Sequence, residues 1–336
     1  MNLGISVRRF GPFGGMEKVA FGFVKWLVSR GHCVEVWSNE FVEHLPNVLP
    51  RKLGAGGRGV LWKARSLASA VSRIPTGNVD GFLHFERGGL TGVYRAGAGC
   101  HAAFRSRCGG GLFGPVLEAI DRKTCLADRP LIVNSELVAS EMEEFYGVDR
   151  ERIHLVRNGV DLDKFKPEER AKELTVAFVG SDARRKGLYT AMKAVAMIDG
   201  VRLQVLGNVP GVARRWAKSL GILQRVQFMG WLERPETVLC RSHAMLLPSC
   251  YDPSSNAALE ALASGVPVVT SRFNGAAEIT PAPWLVLDDC WDAEGYAEVL
   301  LRAMKDPTLP MACRSVAESH DANASYSALL KVMLEG

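Results

Sequence analysis

The sequence predicts an α/β protein built from two Rossmann-like, doubly wound domains. Short apolar segments of strand length alternate with helical stretches along the chain, which is typical of parallel sheets covered by helices. The 336 residues exceed a usual single domain, and an apolar content of 47% is enough for two cores. Turn residues and charges between 157 and 169 divide the alternation into two halves. We therefore predict domains at 1–163 and 164–336, with the last helix a candidate to pack back on the first domain.

The predicted elements follow in order along each half. The first half opens with a strand, a glycine turn and an apolar helix that ends near residue 30. The predicted strands of the two halves are 3–7, 33–37, 81–85 and 131–134, then 175–179, 203–206, 226–229, 244–247 and 268–270.

A basic cluster follows the strand predicted at 175–179. Arg184, Arg185 and Lys186 come after a glycine turn and open the next predicted helix. Arg offers a planar fork to phosphate oxygens and Lys a point charge, whereas three cations without an anion would oppose the dipole of a helix start. Most basic runs are solvated surface, but open α/β sheets bind ligands at strand ends. We interpret this cluster as an anion site.

A polar helix start flanked by two carboxylates lies between 251 and 269. Ser254, Ser255 or Asn256 is expected to cap the helix, whose first amide groups and dipole favour a phosphate. Asp252 lies in the preceding loop and Glu260 two turns into the helix, so that the two carboxylates reach different parts of one ligand and accept hydrogen bonds from its hydroxyls. That suits a sugar nucleotide. From the residues alone, an ordinary capped helix with a solvated Glu is an equal alternative.

Other candidates rest on weaker patterns. Gly14 and Gly15 follow the first strand, where adjacent glycines let the backbone approach a ligand closely, although their spacing is not the dinucleotide fingerprint. His101 follows a strand and a glycine-rich turn, where it could hydrogen-bond a donor sugar or help deprotonate an acceptor hydroxyl. A lone His is more often structural. His84 and Glu86, at another strand end, are secondary candidates for acceptor contact, although we prefer a core or surface role for them.

These segments together resemble the retaining glycosyltransferases of the GT-B fold, in the large family 4 or group 1 class, and among them the lipopolysaccharide-core sugar transferases. Four patterns carry the resemblance, which covers nearly the whole chain: Asp252 and Glu260 with seven residues between them, the pair Arg185 and Lys186, the loop of Gly14 and Gly15, and the hinge sequence Asn158-Gly159-Val160-Asp161. It implies a GT-B architecture, in which two Rossmann-like domains face a central cleft.

The resemblance also implies roles for the residues. Arg185 and Lys186 would stabilise a leaving diphosphate, Asp252 would hold the donor sugar, and Glu260 would hold ribose hydroxyls. The helix start at Ser254, Ser255 and Asn256 would bind the donor phosphates, which Gly14 and Gly15 would face from the other domain.

A reaction and its substrates follow from the resemblance too. The donor would be a nucleotide diphosphate sugar, which we expect to carry uridine, with guanosine and adenosine as the open alternatives. The acceptor would be a glycan or glycolipid of cell-surface polysaccharide or lipopolysaccharide synthesis. Transfer would retain the anomeric configuration. No metal ion and no cofactor are implied.

Composition limits the other classes of partner. The eight Cys residues are scattered without a C-x-x-C pair, which supports neither a zinc site nor a redox motif. Without a signal peptide or a membrane-spanning apolar run, we expect a soluble, cytoplasmic protein. The formal charge of +5 is modest, and no module for binding nucleic acid is recognised.

A basic segment bears on membrane contact. Residues 51–73 hold six Lys or Arg and no acidic residue, and Leu61, Trp62, Leu67 and Val71 are spaced to lie near one helical face. Two interpretations stay open: a core-facing helix with solvated cations, which we prefer, and an amphipathic helix on anionic lipid at the inner face of the membrane.

Two alternatives to an active transferase remain. Asp252 stands where the family has Glu, and Ala98 stands where the relatives that look closest commonly have Asp. A degenerate protein that binds a sugar nucleotide without transferring it is therefore the first alternative. A nicotinamide oxidoreductase, with Glu40 as its ribose ligand, is the second, although the glycine fingerprint is missing.

Overall fold

The computed structural model describes residues 1–335. The chain forms two compact units: unit 1 contains Met1–Asn158 together with the chain from Asn323 onward, and unit 2 contains Gly159–Ala322. Our sequence-based boundary at 163/164 falls five residues after the first of these crossings.

Unit 1 is built on a parallel sheet of seven strands. Its hydrogen-bonded order is β5-β3-β1-β6-β7-β8-β9, and β2 and β4 form a separate parallel pair. The strands are β1 (Asn2–Ser6), β2 (Arg9–Phe10), β3 (Cys33–Ser38), β4 (Glu40–Phe41), β5 (Val48–Lys52), β6 (Gly81–His84), β7 (Val93–Arg95), β8 (Leu131–Val133) and β9 (Ile153–Leu155). The chain builds outward from β1 through β3 to β5 and then returns to β6 on the other side of β1, so that the direction of winding reverses between β1 and β6.

The helices of unit 1 include the last helix of the chain. They are α1 (Gly15–Ser29), α2 (Val60–Val71), α3 (His101–Cys108), α4 (Gly114–Cys125), α5 (Glu136–Glu141), which continues as a π-helical turn (Met142–Tyr146), and α12 (Ala322–Glu335). Leu329, Val332 and Met333 of α12 belong to the unit 1 core. Gly22 of α1 permits this packing, because a Cβ there would lie 2.1 Å from the Tyr326 hydroxyl oxygen.

Unit 2 repeats the same winding. Its parallel sheet has the order β12-β11-β10-β13-β14-β15, which reverses between β10 and β13. The strands are β10 (Thr175–Val179), β11 (Arg202–Leu206), β12 (Val226–Gly230), β13 (Ala244–Leu247), β14 (Val268–Ser271) and β15 (Val286–Leu287). The α-helices are α6 (Leu188–Ala196), α7 (Val212–Ser219), α8 (Glu236–Leu239), α9 (Asn256–Ala263), α10 (Ala293–Lys305) and α11 (Leu309–Glu318).

The core of unit 2 explains why its central strands form. The four residues of β13 and the two valines that open β14 are fully buried. A central parallel strand is covered by helices on both faces, so that it carries a continuous apolar run instead of an alternating one.

The basic segment of unit 1 has both an inner and an outer face. Val71 of α2 is buried and Leu67 packs against the same small cluster, whereas Trp62 is 65% exposed. Trp62 therefore does not share the core-facing side of the helix with Leu67 and Val71, contrary to the face predicted from spacing. No helix within residues 1–335 is long and apolar enough to cross a membrane.

Candidate functional site

The most organised polar cluster of unit 2 lies where its sheet reverses direction. Residues 180–187 follow β10 and residues 248–255 follow β13, and these two strands are hydrogen-bonded neighbours. Both segments leave the carboxyl ends of parallel strands, so that they meet at one edge of the sheet. Open α/β sheets bind ligands in this crevice.

Lys186 and Asp252 form the centre of this cluster. The Lys186 Nζ atom makes a short ion pair with the Asp252 Oδ2 atom and lies 3.4 Å from the Ser255 Oγ atom. The two charged side chains are only 12% and 7% exposed. A largely buried ion pair is retained where its geometry is good and its remaining donors have partners, so that each partner depends on the other.

Two backbone hydrogen bonds hold Asp252 in addition to its ion pair. Its amide donates to the Phe273 carbonyl at 2.9 Å, and its own carbonyl accepts from the Gly275 amide at 2.9 Å. The loop after β13 is therefore tied to the loop after β14, and the Asp252 carboxylate is held in one place.

Arg185 joins the two segments of the edge. Its Nη1 atom donates to the Tyr251 carbonyl at 2.9 Å, and its Nε atom donates to the Asp182 carboxylate at 3.2 Å. In return the Cys250 amide donates to the Arg185 carbonyl at 2.8 Å. Arg184, by contrast, is exposed. The structure therefore separates the three predicted cations into two that are held in the edge and one on the surface.

The basic residues precede the helix and do not open it, because α6 begins only at Leu188. Gly187 has φ +76°, and a Cβ there would lie 2.0 Å from the Pro248 carbonyl oxygen. Gly180 plays a similar part for Lys186, since a Cβ at that position would lie 2.9 Å from the Lys186 Cγ atom. Only glycine at position 187 lets the 180–187 segment approach the 248–255 segment this closely.

The predicted helix start is present, with altered roles for its residues. α9 begins at Asn256 with Ser255 as its N-cap, but the Ser255 side chain makes no capping hydrogen bond and lies beside Lys186. The Ser255 hydroxyl, one of the predicted helix caps, therefore contacts Lys186 of the ion pair instead of the helix amides. Ser254 precedes the cap in the loop. Glu260 is 8% exposed, which rules out the alternative of a solvated Glu, and it lies one turn into the helix and not two as predicted.

Unit 1 has a different cluster at its own reversal point, between β1 and β6. The Glu86 Oε1 atom accepts a hydrogen bond from the Arg8 amide at 3.1 Å, and the Arg8 guanidinium pairs with Glu17 of α1 at 3.3 Å. Burial raises the pKa of Glu86 to about 7, although Arg8 opposes the shift. Gly14, with φ +65°, caps α1, which begins at Gly15.

His101 lies elsewhere in unit 1, at the first residue of α3. Its amide donates to the Asp121 Oδ2 atom at 2.8 Å, and its ring centroid lies 5.6 Å from that of Phe104. Desolvation lowers the pKa of His101, and the nearby Arg87 lowers it further. Both effects favour the neutral ring over its protonated form.

Asp121 was missed by sequence reasoning. It is fully buried and also accepts hydrogen bonds from the Arg87 Nε atom at 2.5 Å and the Tyr146 hydroxyl at 2.8 Å. Nothing in the amphipathic pattern of α4 marks this residue, because its partners come from three other segments. It positions the start of α3 and with it His101.

His84 is a core residue. It is 1% exposed, its Nδ1 atom lies 2.8 Å from the Ser6 Oγ atom, and burial lowers its pKa to about 3. A neutral, enclosed imidazole cannot contact an acceptor, which leaves His84 in the core role that its sequence position already favoured. Among residues 1–335, no group of three or more His, Cys, Asp and Glu side chains is arranged to hold a metal ion.

Family models of known proteins divide the chain near residue 160, close to where unit 1 gives way to unit 2. The family model described as Glycosyltransferase Family 4 matches residues 13–164, and the one described as Glycosyl transferases group 1 matches residues 160–320. The lipopolysaccharide core biosynthesis glycosyltransferase LpsE of Rhizobium meliloti is 32% identical over 161 residues, which are 45% of this chain and 45% of LpsE. The chain thus spans about half the length of the curated relatives it matches.

Solved structures match over the full length. WaaG, a glycosyltransferase involved in lipopolysaccharide biosynthesis, has a TM-score of 0.86 at 19% identity, with 99% of this chain and 100% of WaaG covered. Anabaena HepE in complex with UDP-glucose has a TM-score of 0.77 at 14% identity, with 100% of both chains covered. At such identities these likenesses establish the fold alone.

Proposed function

Since this chain is a member of the GT-B glycosyltransferases, similar to the lipopolysaccharide-core transferases, we propose that it transfers a sugar from a nucleotide diphosphate sugar, a UDP-sugar by preference, to a hydroxyl of a glycan or glycolipid. One observation carries the proposal: the buried pair of Lys186 and Asp252 at the reversal point of the unit 2 sheet. A carboxylate for sugar hydroxyls and an ammonium for phosphate stand side by side there.

Lys186 supplies the electrostatic part of the reaction. An ammonium has three N–H donors, of which two face Asp252 and Ser255, so that the third is available for a diphosphate oxygen. Arg185 adds a second positive charge beside it. Charge grows on the leaving diphosphate as its bond to the sugar breaks, and cations that are already in place stabilise that charge without reorganisation.

The remaining donor contacts follow from position. Asp252, fixed through its backbone, accepts hydrogen bonds from the donor sugar. The start of α9 binds phosphate through its amides and dipole. Glu260, one turn further along α9, takes the ribose hydroxyls. Gly14 and Gly15 remain proposed diphosphate contacts from unit 1.

Retention follows if the new bond forms on the face that the diphosphate leaves. The bond between C1 of the sugar and the phosphate oxygen breaks with its electron pair on the diphosphate, and the acceptor oxygen bonds to C1. The acceptor proton passes to an oxygen of the departing β-phosphate. Neither a metal ion nor a protein nucleophile is needed in this scheme.

The acceptor side is proposed to lie in unit 1. Glu86 stands at the reversal point of that sheet, and its raised pKa leaves the carboxyl ready to donate or accept a hydrogen bond near neutral pH. His101, whose neutral ring is favoured, is the second candidate for contact with the acceptor or the donor sugar. The likeness to LpsE and WaaG supports lipopolysaccharide or another surface glycan as the acceptor class.

Donor binding is the first test. UDP, GDP and ADP, alone and as their sugars, are titrated against the wild type, Lys186→Ala and Arg184→Ala, with melting temperature as the readout. Saturation at a hundred times Kd stabilises a protein by about 2.7 kcal/mol. We expect the nucleotides of one base to stabilise the wild type and the control variant Arg184→Ala, whose residue is exposed. Lys186→Ala should bind the same nucleotides about 10- to 100-fold more weakly, because a charge-assisted hydrogen bond is lost.

Turnover separates transfer from binding. Release of the nucleoside diphosphate with a lipopolysaccharide-core acceptor supports the transferase, and the anomeric proton of the product, read by NMR, reports retention. Activity that persists in EDTA supports metal independence. Donor binding without turnover would favour the degenerate alternative that Ala98 and Asp252 suggest, and no response to any donor would reject the proposal.

We extend the proposal to location at the inner, cytoplasmic face of an anionic membrane. Trp62 is exposed, and its neighbours Arg58, Lys63 and Arg65 are exposed too. A solvated aromatic side chain among cations is suited to the interface of an anionic bilayer. Co-sedimentation with phosphatidylglycerol vesicles should fall for Trp62→Ala, whereas equal binding of both proteins would leave these cations as ordinary surface.

A further inference from the structure

Two buried cysteines face each other beside the Lys186–Asp252 pair. The Sγ atoms of Cys250 and Cys290 are 3.0 Å apart, which is shorter than an ordinary van der Waals contact between two sulfur atoms. Cys250 is 3% exposed and lies two residues before Asp252, and Cys290 is 5% exposed and follows β15. A disulfide bond is about 2.05 Å long, so that the two sulfurs are about 1 Å from bonding distance.

The pair has the chemistry that oxidation requires. The hydrogen bond with the Cys250 thiol lowers the pKa of Cys290, against the opposing effects of burial and Asp289. The thiolate is the nucleophile in reactions with peroxides and disulfides, and its population grows as the pKa falls. The second thiol is already in position to resolve the first oxidised product.

Cys250 is connected to the candidate donor site through the backbone. Its amide donates to the Arg185 carbonyl at 2.8 Å, and Arg185 in turn donates to the carbonyl of Tyr251, the residue between Cys250 and Asp252. A movement of Cys250 toward Cys290 therefore acts on the residues that hold Arg185 and Asp252. This connection lies entirely within unit 2.

We propose that Cys250 and Cys290 form a reversible disulfide, with hydrogen peroxide or a small organic disulfide as the oxidant, and that the oxidised form binds the donor more weakly. With peroxide, the Cys290 thiolate attacks one oxygen, an S–O bond forms, the O–O bond breaks and the released hydroxide takes a proton. The Cys250 thiol then attacks the Cys290 sulfur, the S–S bond forms and water leaves. Two thiols are oxidised, and one peroxide is reduced to two waters.

The bond is tested first by mass. The folded wild type is treated with hydrogen peroxide, alkylated and digested, and we expect a peptide pair linked through Cys250 and Cys290 that disappears after dithiothreitol. Cys290→Ser should give no such pair. Cys240→Ser is the matched control, because Cys240 is equally buried in unit 2 but lies against the Ser264 hydroxyl at 3.3 Å, and it should form the linked pair like the wild type. Absence of the linked pair from folded wild-type protein overturns the inference.

The effect on the site is tested by calorimetry with UDP. We expect the oxidised wild type to bind UDP about tenfold more weakly than the reduced protein, as the loss of one charge-assisted hydrogen bond would produce. Dithiothreitol should restore the affinity, and Cys290→Ser should respond to neither reagent. Equal UDP affinity in both oxidation states would overturn the inference that the disulfide weakens donor binding. This second readout rests on the proposed function, whereas the mass measurement does not, so that a protein that binds no UDP but forms the disulfide would reject only the donor assignment.

Discussion

The reversal points of the two sheets differ in charge although their topology is the same. In unit 2, β10 and β13 present a buried ammonium and its carboxylate partner, with a second cation beside them. In unit 1, Glu86 follows β6 and accepts a hydrogen bond from the amide of Arg8, which follows β1. The Arg8 guanidinium pairs with Glu17 of α1. Two parallel sheets wound in the same order therefore offer one edge suited to phosphate and one suited to hydroxyl groups. The winding determines where a site lies, and the side chains determine what it binds.

The glycines at the two edges differ as well. Gly187 is pressed against the backbone of the neighbouring segment, whereas a Cβ at Gly14 would meet only the end of the Glu17 side chain, at 2.6 Å. A backbone carbonyl cannot move aside, and a flexible side chain can. The edge of unit 2 is therefore the more closely packed of the two at its glycine.

The largest effect is expected from Gly187→Ala. The added Cβ would lie 2.0 Å from the Pro248 carbonyl oxygen and the residue would keep a positive φ, so that we expect a loss of about 4 kcal/mol in the free energy of unfolding. Gly14→Ala, with a positive φ but a movable neighbour, should lose only about 1 kcal/mol. Urea unfolding of both variants measures the difference. Equal losses in the free energy of unfolding would show that the two glycines are equally closely packed.

A second comparison concerns the ion pairs. Lys186→Ala should lower the free energy of unfolding by about 3 kcal/mol, because it leaves the buried Asp252 with only a longer ion pair to Arg185 at 3.9 Å. This differs from the small loss that a Lys facing a cleft would predict. In a double-mutant cycle with Asp252→Ala, the coupling energy should be about 1–3 kcal/mol.

The exposed pair of Arg8 and Glu17 in unit 1 is the control for that cycle. Arg8 is 58% exposed, so that the coupling energy should stay below about 1 kcal/mol. Similar coupling in the two cycles would mean that the unit 2 pair is solvated in solution.

A smaller loss of stability than that of Lys186→Ala is expected from the titration of Glu86 in unit 1. Because the folded pKa of Glu86 is raised to about 7, its contribution to stability is complete below about pH 4.5 and is lost as the pH rises through 7. Relative to Glu86→Gln, the wild type should lose about 1–2 kcal/mol of unfolding free energy between pH 5 and pH 8, a range that allows for the partial exposure of Glu86.

Urea titrations at both pH values measure this difference. Glu43→Gln, at an exposed position, controls for the general effect of removing a carboxylate. Parallel pH profiles for Glu86→Gln and the wild type would remove Glu86 from the proposed acceptor side.

Much of this fold could be predicted from the sequence, and the predicted GT-B architecture is confirmed. The predicted strands 175–179 and 244–247 coincide with β10 and β13, because a buried central strand is a short apolar run between turn residues. β5 was missed, since its residues are largely exposed and include a proline and two cations. β2 and β4 were missed because two-residue strands carry no periodicity.

The candidate site was predictable only where a local pattern marks it. Asp252, Arg185 and Lys186 were predicted from their positions at strand ends and from the family resemblance, but nothing in the sequence showed that Lys186 and Asp252 would pair across 66 residues. The same holds for Cys250 and Cys290, which no C-x-x-C spacing marks. Contacts between distant segments are set by sheet order, which single-segment patterns do not encode. The roles of these residues, and of His101, stay predictions.

The last helix gives the chain an unusual order of assembly. Leu329, Val332 and Met333 complete the unit 1 core, yet they are made only after every residue of Gly159–Ala322. Domains commonly finish folding from the N-terminus during synthesis. Here unit 1 is completed only after the whole of unit 2 has been made, and a stop codon in place of Asn323 would release a protein whose second unit has its whole sequence and whose first unit lacks part of its core.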